Sequence, residues 1–96
     1  MENIRSYSGL FIIAPEKQET LDEVKSAIGT IISDNSGSIT KENLMGKRQL
    51  AYPIKKRSEG LYYEVNFTAQ PETVQKMMRL FRINTDILRT LIDKAD

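Results

Sequence analysis

The chain of 96 residues contains no cysteine and no histidine. Without cysteine it has neither a disulfide framework nor a thiolate metal site, a composition compatible with a reducing compartment. Without histidine it lacks the side chain most used for proton transfer near neutral pH and a common metal ligand, which turns the expectation away from catalysis. No apolar run approaches the roughly 18 residues needed to span a bilayer, and the first residues have no basic start followed by a long apolar middle. The expectation is a soluble cytoplasmic protein with no membrane partner. Gly-rich phosphate loops, metal-ligand spacings and nucleophile motifs are also missing, so no cofactor, metal or small-molecule substrate is expected. The acid pairs Asp22 with Glu23 and Asp93 with Asp96 lack the context of a catalytic dyad. Proline occurs only three times, as Pro15, Pro53 and Pro71, and each marks a boundary or an edge.

What is present suits one compact domain over residues 1–96 with a single core. Charged residues make up 28% of the chain and the net charge is +1, so bulk charge does not draw the molecule to nucleic acid. The distribution is uneven. Between Ala14 and Ser36, Glu16, Glu19, Asp22, Glu23 and Asp34 face only Lys17 and Lys25; between Lys41 and Arg57, Lys41, Lys47, Arg48, Lys55, Lys56 and Arg57 face only Glu42. The chain therefore has an acidic side and a basic side.

From Ile4 to Ile13, Tyr7, Phe11 and Ile13 fall on one parity, as a half-buried strand requires, and Pro15 ends it. Thr20 with Glu23 three residues on spells a capping box, and Leu21, Val24, Ile28, Ile31 and Ile32 recur at helical spacing until Asn35, Ser36 and Gly37 supply a stop. Ser38 to about Ile54 reads as an extended strand, with Leu44, Arg48, Leu50, Tyr52 and Ile54 on one parity. Lys55 to Gly60 reads as a polar hairpin loop, and Leu61 to Thr68 shows the clearest alternation, with Leu61, Tyr63, Val65 and Phe67 on one face. Pro71 opens a second helix with Val74, Met77, Met78 and Phe81 as its apolar stripe, and Ile87 to Ile92 forms a last strand.

Each helix offers one apolar face and each strand one apolar side, so the solution is two layers: an α+β, ferredoxin-like split βαβ fold (βαββαβ), a four-stranded antiparallel sheet with two helices on one face. The first and third strands are then central, and Pro53, which has no amide hydrogen for a ladder, falls on an edge. The fold names no activity. Lys47, Arg48, Lys55, Lys56 and Arg57 along that edge form either a phosphate-contacting rim or a solvated edge protected against aggregation, and spacing leaves both open. Lys76, Arg79, Arg82 and Arg89 make a second cluster, with Arg79 and Arg82 three apart on a helix face. Base stacking as in the RNA recognition motif is disfavoured, because Glu64 precedes Val65-Asn66-Phe67 and Tyr63 and Phe67 face the helices. Alternatives on the same fold are an enzyme such as an acyl-phosphate hydrolase, which would need an anion loop that does not follow Arg5, a ligand-sensing domain, or a homodimer joined edge to edge.

The segment Gly46-Lys47-Arg48-Gln49-Leu50-Ala51-Tyr52-Pro53-Ile54-Lys55-Lys56 resembles the Gly-x-Arg-x-Leu-Ala-Tyr-Pro-Ile motif of the bacterial small-subunit ribosomal protein six family. Tyr7, Gly60, Phe81-Arg82-Ile83-Asn84 and Ile87-Leu88-Arg89 extend the likeness over nearly the whole chain. The resemblance implies a non-catalytic component of the small ribosomal subunit that binds ribosomal RNA of the central domain, as a heterodimer with the eighteenth small-subunit protein. It implies RNA contact by Arg48, Lys56, Arg82 and Arg89, with Arg5, Lys47 and Lys55 as further candidates, and gives Ala51, Tyr52 and Pro53 to the edge or to the protein partner. Two features depart from the family pattern. Ser8 follows Tyr7 where an acid is common, and the sequence stops at Asp96 without a polar tail, so no tail-dependent contact is expected.

Overall fold

In the computed structural model, which describes residues 3–95, the parity read from the sequence becomes the two sides of a sheet. Asp96, a member of one acid pair above, lies outside the described residues. Strand β1 (Arg5–Ile13) pairs antiparallel with β3 (Arg57–Ala69), from Arg5 opposite Ala69 to Ile13 opposite Leu61. On its other side β1 pairs with β4 (Ile87–Lys94), and β2 (Ser38–Ile54) closes the sheet beside β3. The order β2-β3-β1-β4 makes the first and third strands central and leaves Pro53 on an edge, as the absent donor requires.

Helix α1 (Leu21–Asp34) sends Val24, Ile28 and Ile32, and α2 (Pro71–Ile83) sends Met77 and Phe81, into one cluster with Tyr7, Phe11, Ile13, Leu61, Tyr63, Val65 and Phe67. Phe11 meets Phe81 edge to face at 4.8 Å between centroids, and Tyr7 stacks with Phe67 at 5.6 Å, geometries that suit the ring quadrupole. The helix stop is a Schellman motif: the Gly37 amide donates to the Ile32 carbonyl at 2.8 Å and the Ser36 amide to Ser33 at 3.1 Å, with Ser36 at φ 63°. Across the helix side of the sheet, the Tyr63 hydroxyl donates to Glu42 at 3.1 Å, and Lys25 of α1 stands 3.6 Å from the same carboxylate. Burial, with the Glu42 carboxylate beside it, pushes the Tyr63 phenol well above the usual tyrosine range.

Four local features differ from the sequence reading. Pro15–Thr20 forms a 3₁₀ helix leading straight into α1. Thr20 consequently lacks the extended backbone of an N-cap (φ −110°, ψ 25°), and its hydroxyl donates to the Lys17 carbonyl at 3.5 Å, so the capping box does not form. The polar loop Lys55 to Gly60 is instead a two-residue turn: β3 already begins at Arg57, and Lys55 and Lys56 take φ of 48° and 69°. That is the backbone hand a tight hairpin demands. Finally, β2 does not keep one parity. Its register against β3 slips at three places, and Leu44 opposes Tyr63 whereas Gly46 opposes Tyr62, so Leu44 and Arg48 lie on opposite faces.

The largest slip matters most. Gln49 opposes Glu59 and Ile54 opposes Arg57, so Leu50–Pro53 stand as four residues against Ser58 alone. A bulge bends and twists its strand, and here the end of the hairpin folds over the sheet face that the helices leave bare. Leu50 is thereby buried with Ile12, Ala14 and Leu88 in a second, small cluster, flanked by Ile54 and Tyr62. Gly60 permits this closeness: a methyl on it would lie 2.5 Å from Cγ2 of Ile12.

Candidate nucleic-acid interface

The folded-over hairpin brings together cations that are distant in sequence. Lys55 at its tip, Arg82 in the last turn of α2 and Arg89 near the start of β4 line one cleft of about 230 Å³, whose floor is made by Met78, Phe81, Ile87 and Leu88. Arg82 follows the buried stripe residue Phe81, which places it at the edge of the helix–sheet layer. Asn84 then takes a β backbone and ends α2, so the chain turns at once into β4 and Arg89. Among the described residues none of Lys55, Lys56, Arg82 or Arg89 forms a salt bridge, and Asp86 nearby is engaged by Lys17 at 3.4 Å. The charge of these four residues is therefore not offset by a salt-bridged acid among the described residues.

Arg48 and Tyr52 belong to the neighbouring open face. The Arg48 guanidinium lies 5.9 Å from the Tyr62 ring centroid, an exposed cation–π contact worth about 0.5–1 kcal/mol. Arg89 donates to the Tyr52 hydroxyl at 2.9 Å, tying the bulge to β4 across a hollow of about 170 Å³ lined in part by Leu50, Ala51, Tyr62 and Leu91. Ala51, Tyr52 and Pro53 are all exposed, Tyr52 at 60%.

The other sequence-derived candidates do not join this group. Lys47 opposes Leu61, a core residue, and so belongs to the helix side of the edge rather than to the face of Arg48. Arg5 is exposed at the far end of β1, opposite Ala69, about 26 Å from Ile13 at 3.3 Å per residue. Arg79 lines a hollow with Asn35, Lys76 and Leu80, apart from the cleft that Arg82 lines. Arg57, counted with the rim cations from sequence, is paired with Glu16, its Nε donating to Oε1 at 3.3 Å and its Nη2 meeting Oε2. That hydrogen bond holds the Glu16 carboxyl below the usual carboxylate range and raises Arg57. Sequence reasoning missed the Glu16–Arg57 pair because its members are 41 residues apart, and only the 3₁₀ helix and the bent hairpin make them neighbours.

Comparison with known proteins shows the family of the chain. The family model described as ribosomal protein S6 matches residues 6–94. The chain is 40% identical over 94 residues to the small ribosomal subunit protein bS6 of Pseudarthrobacter chlorophenolicus, covering 97% of this chain and 93% of the relative. A bS6 from Caldanaerobacter subterraneus subsp. tengcongensis is 38% identical over 96 residues, covering 97% and 99%. The crystal structure of 30S ribosomal protein S6 from Thermotoga maritima superimposes with a TM-score of 0.88 at 31% identity, covering 96% of this chain and 88% of that one. The C-terminal domain of MgtC from Mycobacterium tuberculosis, at a TM-score of 0.68 and 10% identity, shares the fold alone.

Proposed function

The chain belongs to the ribosomal protein S6 family, and on that footing we propose that it binds small-subunit ribosomal RNA through the cation-rimmed end of its sheet, in company with the eighteenth small-subunit protein. It is a structural component of the small ribosomal subunit rather than an enzyme, and works in the cytoplasm with the ribosome. The observation that carries the RNA reading is the convergence of Lys55, Arg82 and Arg89, from three different elements, around one cleft with no acid partner among the described residues. Cations so placed meet phosphates and set register while reading few base edges. The arginine forks suit phosphate oxygens in two-point contacts, and Lys55 and Lys56 act as point charges at the tip.

Arg48, over Tyr62, extends the positive surface along the open face, and its position above the ring argues against base stacking there. Arg5 and Lys47 serve as separate peripheral contacts. The exposed Ala51-Tyr52-Pro53 bulge is the surface proposed for the protein neighbour: it is apolar and held in place by the Arg89–Tyr52 hydrogen bond. Its ladder is interrupted, so this stretch of β2 offers backbone to a partner rather than to β3.

The test is a salt titration of binding to a transcript of the central domain of small-subunit ribosomal RNA, with the eighteenth protein present. Each of Lys55→Ala and Arg82→Ala should lower the slope of log K against log salt by roughly 0.7 to 0.9 per lost phosphate contact and slow incorporation into the subunit. Unchanged slopes and unchanged incorporation in both variants refute the assignment.

A further inference from the structure

The turn that carries Lys55 and Lys56 is an unusual one for its sequence. Both residues have positive φ, the conformation that two-residue hairpins ordinarily assign to Asn and Gly, and each lysine there is disfavoured relative to a right-handed backbone. Left to its own propensities, this tip would populate other shapes. The structure shows what opposes that. Arg57 Nη1 donates to the Lys55 carbonyl at 3.1 Å, while Nε and Nη2 of the same guanidinium grip the two oxygens of Glu16. Glu16 is itself well anchored. It follows Pro15, whose ring fixes φ, and the preceding Ala14 amide donates to the Asp86 carbonyl at 2.9 Å, so it is tied to the turn that leads directly into the strand bearing Arg89.

We propose that Glu16 and Arg57 are positioning residues for the RNA-binding end: the Glu16-oriented guanidinium pins the Lys55 carbonyl and so holds the two-lysine turn in the one geometry that aims Lys55 at the cleft shared with Arg82 and Arg89. The inference rests on the reading of that end as an RNA contact and adds to it a residue pair with a different task. Arg57, neutralised by Glu16, contributes little net charge to the rim. Its fork is what matters, since three of its donors are used in two directions at once, which an ammonium on a flexible stem cannot reproduce with the same planarity. Pre-ordering the lysines removes a cost otherwise met on binding.

Arg57→Lys, which keeps the charge, should weaken binding to the central-domain transcript roughly 3- to 10-fold while leaving the salt slope unchanged, because the number of phosphate contacts is the same. In the free protein, the strong NOE between each amide proton and its own α-proton that positive φ gives Lys55 and Lys56 should weaken. The charge swap Glu16→Arg with Arg57→Glu restores an ion pair between the 3₁₀ helix and β3 at identical net charge. A carboxylate cannot donate to the Lys55 carbonyl, so the swap should regain thermal stability yet bind as weakly as Arg57→Lys. A merely structural salt bridge predicts that stability and affinity return together, and that result overturns the proposal, as does wild-type affinity in Arg57→Lys. Lys55→Ala and Lys56→Ala separate the two levels. If they lower the slope while the Arg57 variants bind normally, only the positioning role fails; if they leave slope and affinity unchanged, the RNA reading of the turn fails, and the positioning role with it.

Discussion

Replacing Gly60 with alanine tests the bent hairpin directly. The added methyl would lie 2.5 Å from Cγ2 of Ile12, while the next neighbours, the Ile13 carbonyl and Leu50 Cδ2, are at ordinary distances of 3.6 and 3.7 Å. Carbon atoms are comfortable at about 3.5–4.0 Å, so β3 and β1 must part locally by about 1 Å or Ile12 must leave its rotamer. Ile12 is 5% exposed and packed with Ala14, Leu50 and Leu88, so it has little room to yield. Overpacking of this kind costs about 1–3 kcal/mol, a fall in melting midpoint of roughly 4–8 °C per kcal/mol for a domain of this size. Gly60 is not in the left-handed region, so backbone strain adds nothing. The same substitution in an Ile12→Ala background therefore has space and should become neutral or stabilising by about 0.5–1 kcal/mol, through relief of glycine's entropy. Urea unfolding of the four proteins in the cycle, with m-values compared, gives the coupling, expected at roughly 1–4 kcal/mol. A neutral Gly60→Ala in the wild type, or equal costs in both backgrounds, refutes the account of the small cluster as the seat of the bend.

Two further predictions concern the helix side of the sheet. The Tyr63 phenol is held above its ordinary range in the folded state, so its contribution is full below the unfolded phenol's pKa of about 10 and declines as pH rises past it; alkaline unfolding followed by circular dichroism should show this loss, and Tyr63→Phe should flatten it at a cost near neutrality of about 1 kcal/mol for the hydrogen bond to Glu42. Phe81→Ala removes a fully buried ring that meets Phe11 edge to face and should cost about 3–5 kcal/mol in chemical denaturation; a loss under 1 kcal/mol would mean that the α2 stripe is not the anchor of the helix layer.

Much of the architecture was readable in one dimension because the strands and helices have a single apolar side. Alternation from Leu61 to Phe67 and the 3.6-residue stripe of α2 depend only on side-chain solubility and backbone period, and they survive in the structure with few changes. Thr20 shows the limit. Its hydroxyl and Glu23 satisfy the pattern of a capping box, but the pattern presumes an extended backbone before the helix, and a 3₁₀ turn stands there instead. The site divides in the same way. Arg48, Lys56, Arg82 and Arg89 were identifiable as cations matching a family motif, with Lys55 beside them, and strand alternation alone puts Lys47 and Arg48 on opposite faces; the withdrawal of Arg57 from the rim and the separate hollow of Arg79 were not legible, since they depend on Glu16 and Asn35 in other elements.

By itself, then, the amino-acid order determined the two-layer βαββαβ fold, the place of Pro53 on an edge and the stock of cations, because burial, period and donor count are local properties. Only the tertiary structure decided where those cations lie. The bulge at Leu50–Pro53 and the missing side chain at Gly60 let the hairpin bend across the sheet, and that bend, a property of two strands in register rather than of either segment alone, sets Lys55 beside Arg82 and Arg89 and puts Arg57 within reach of Glu16.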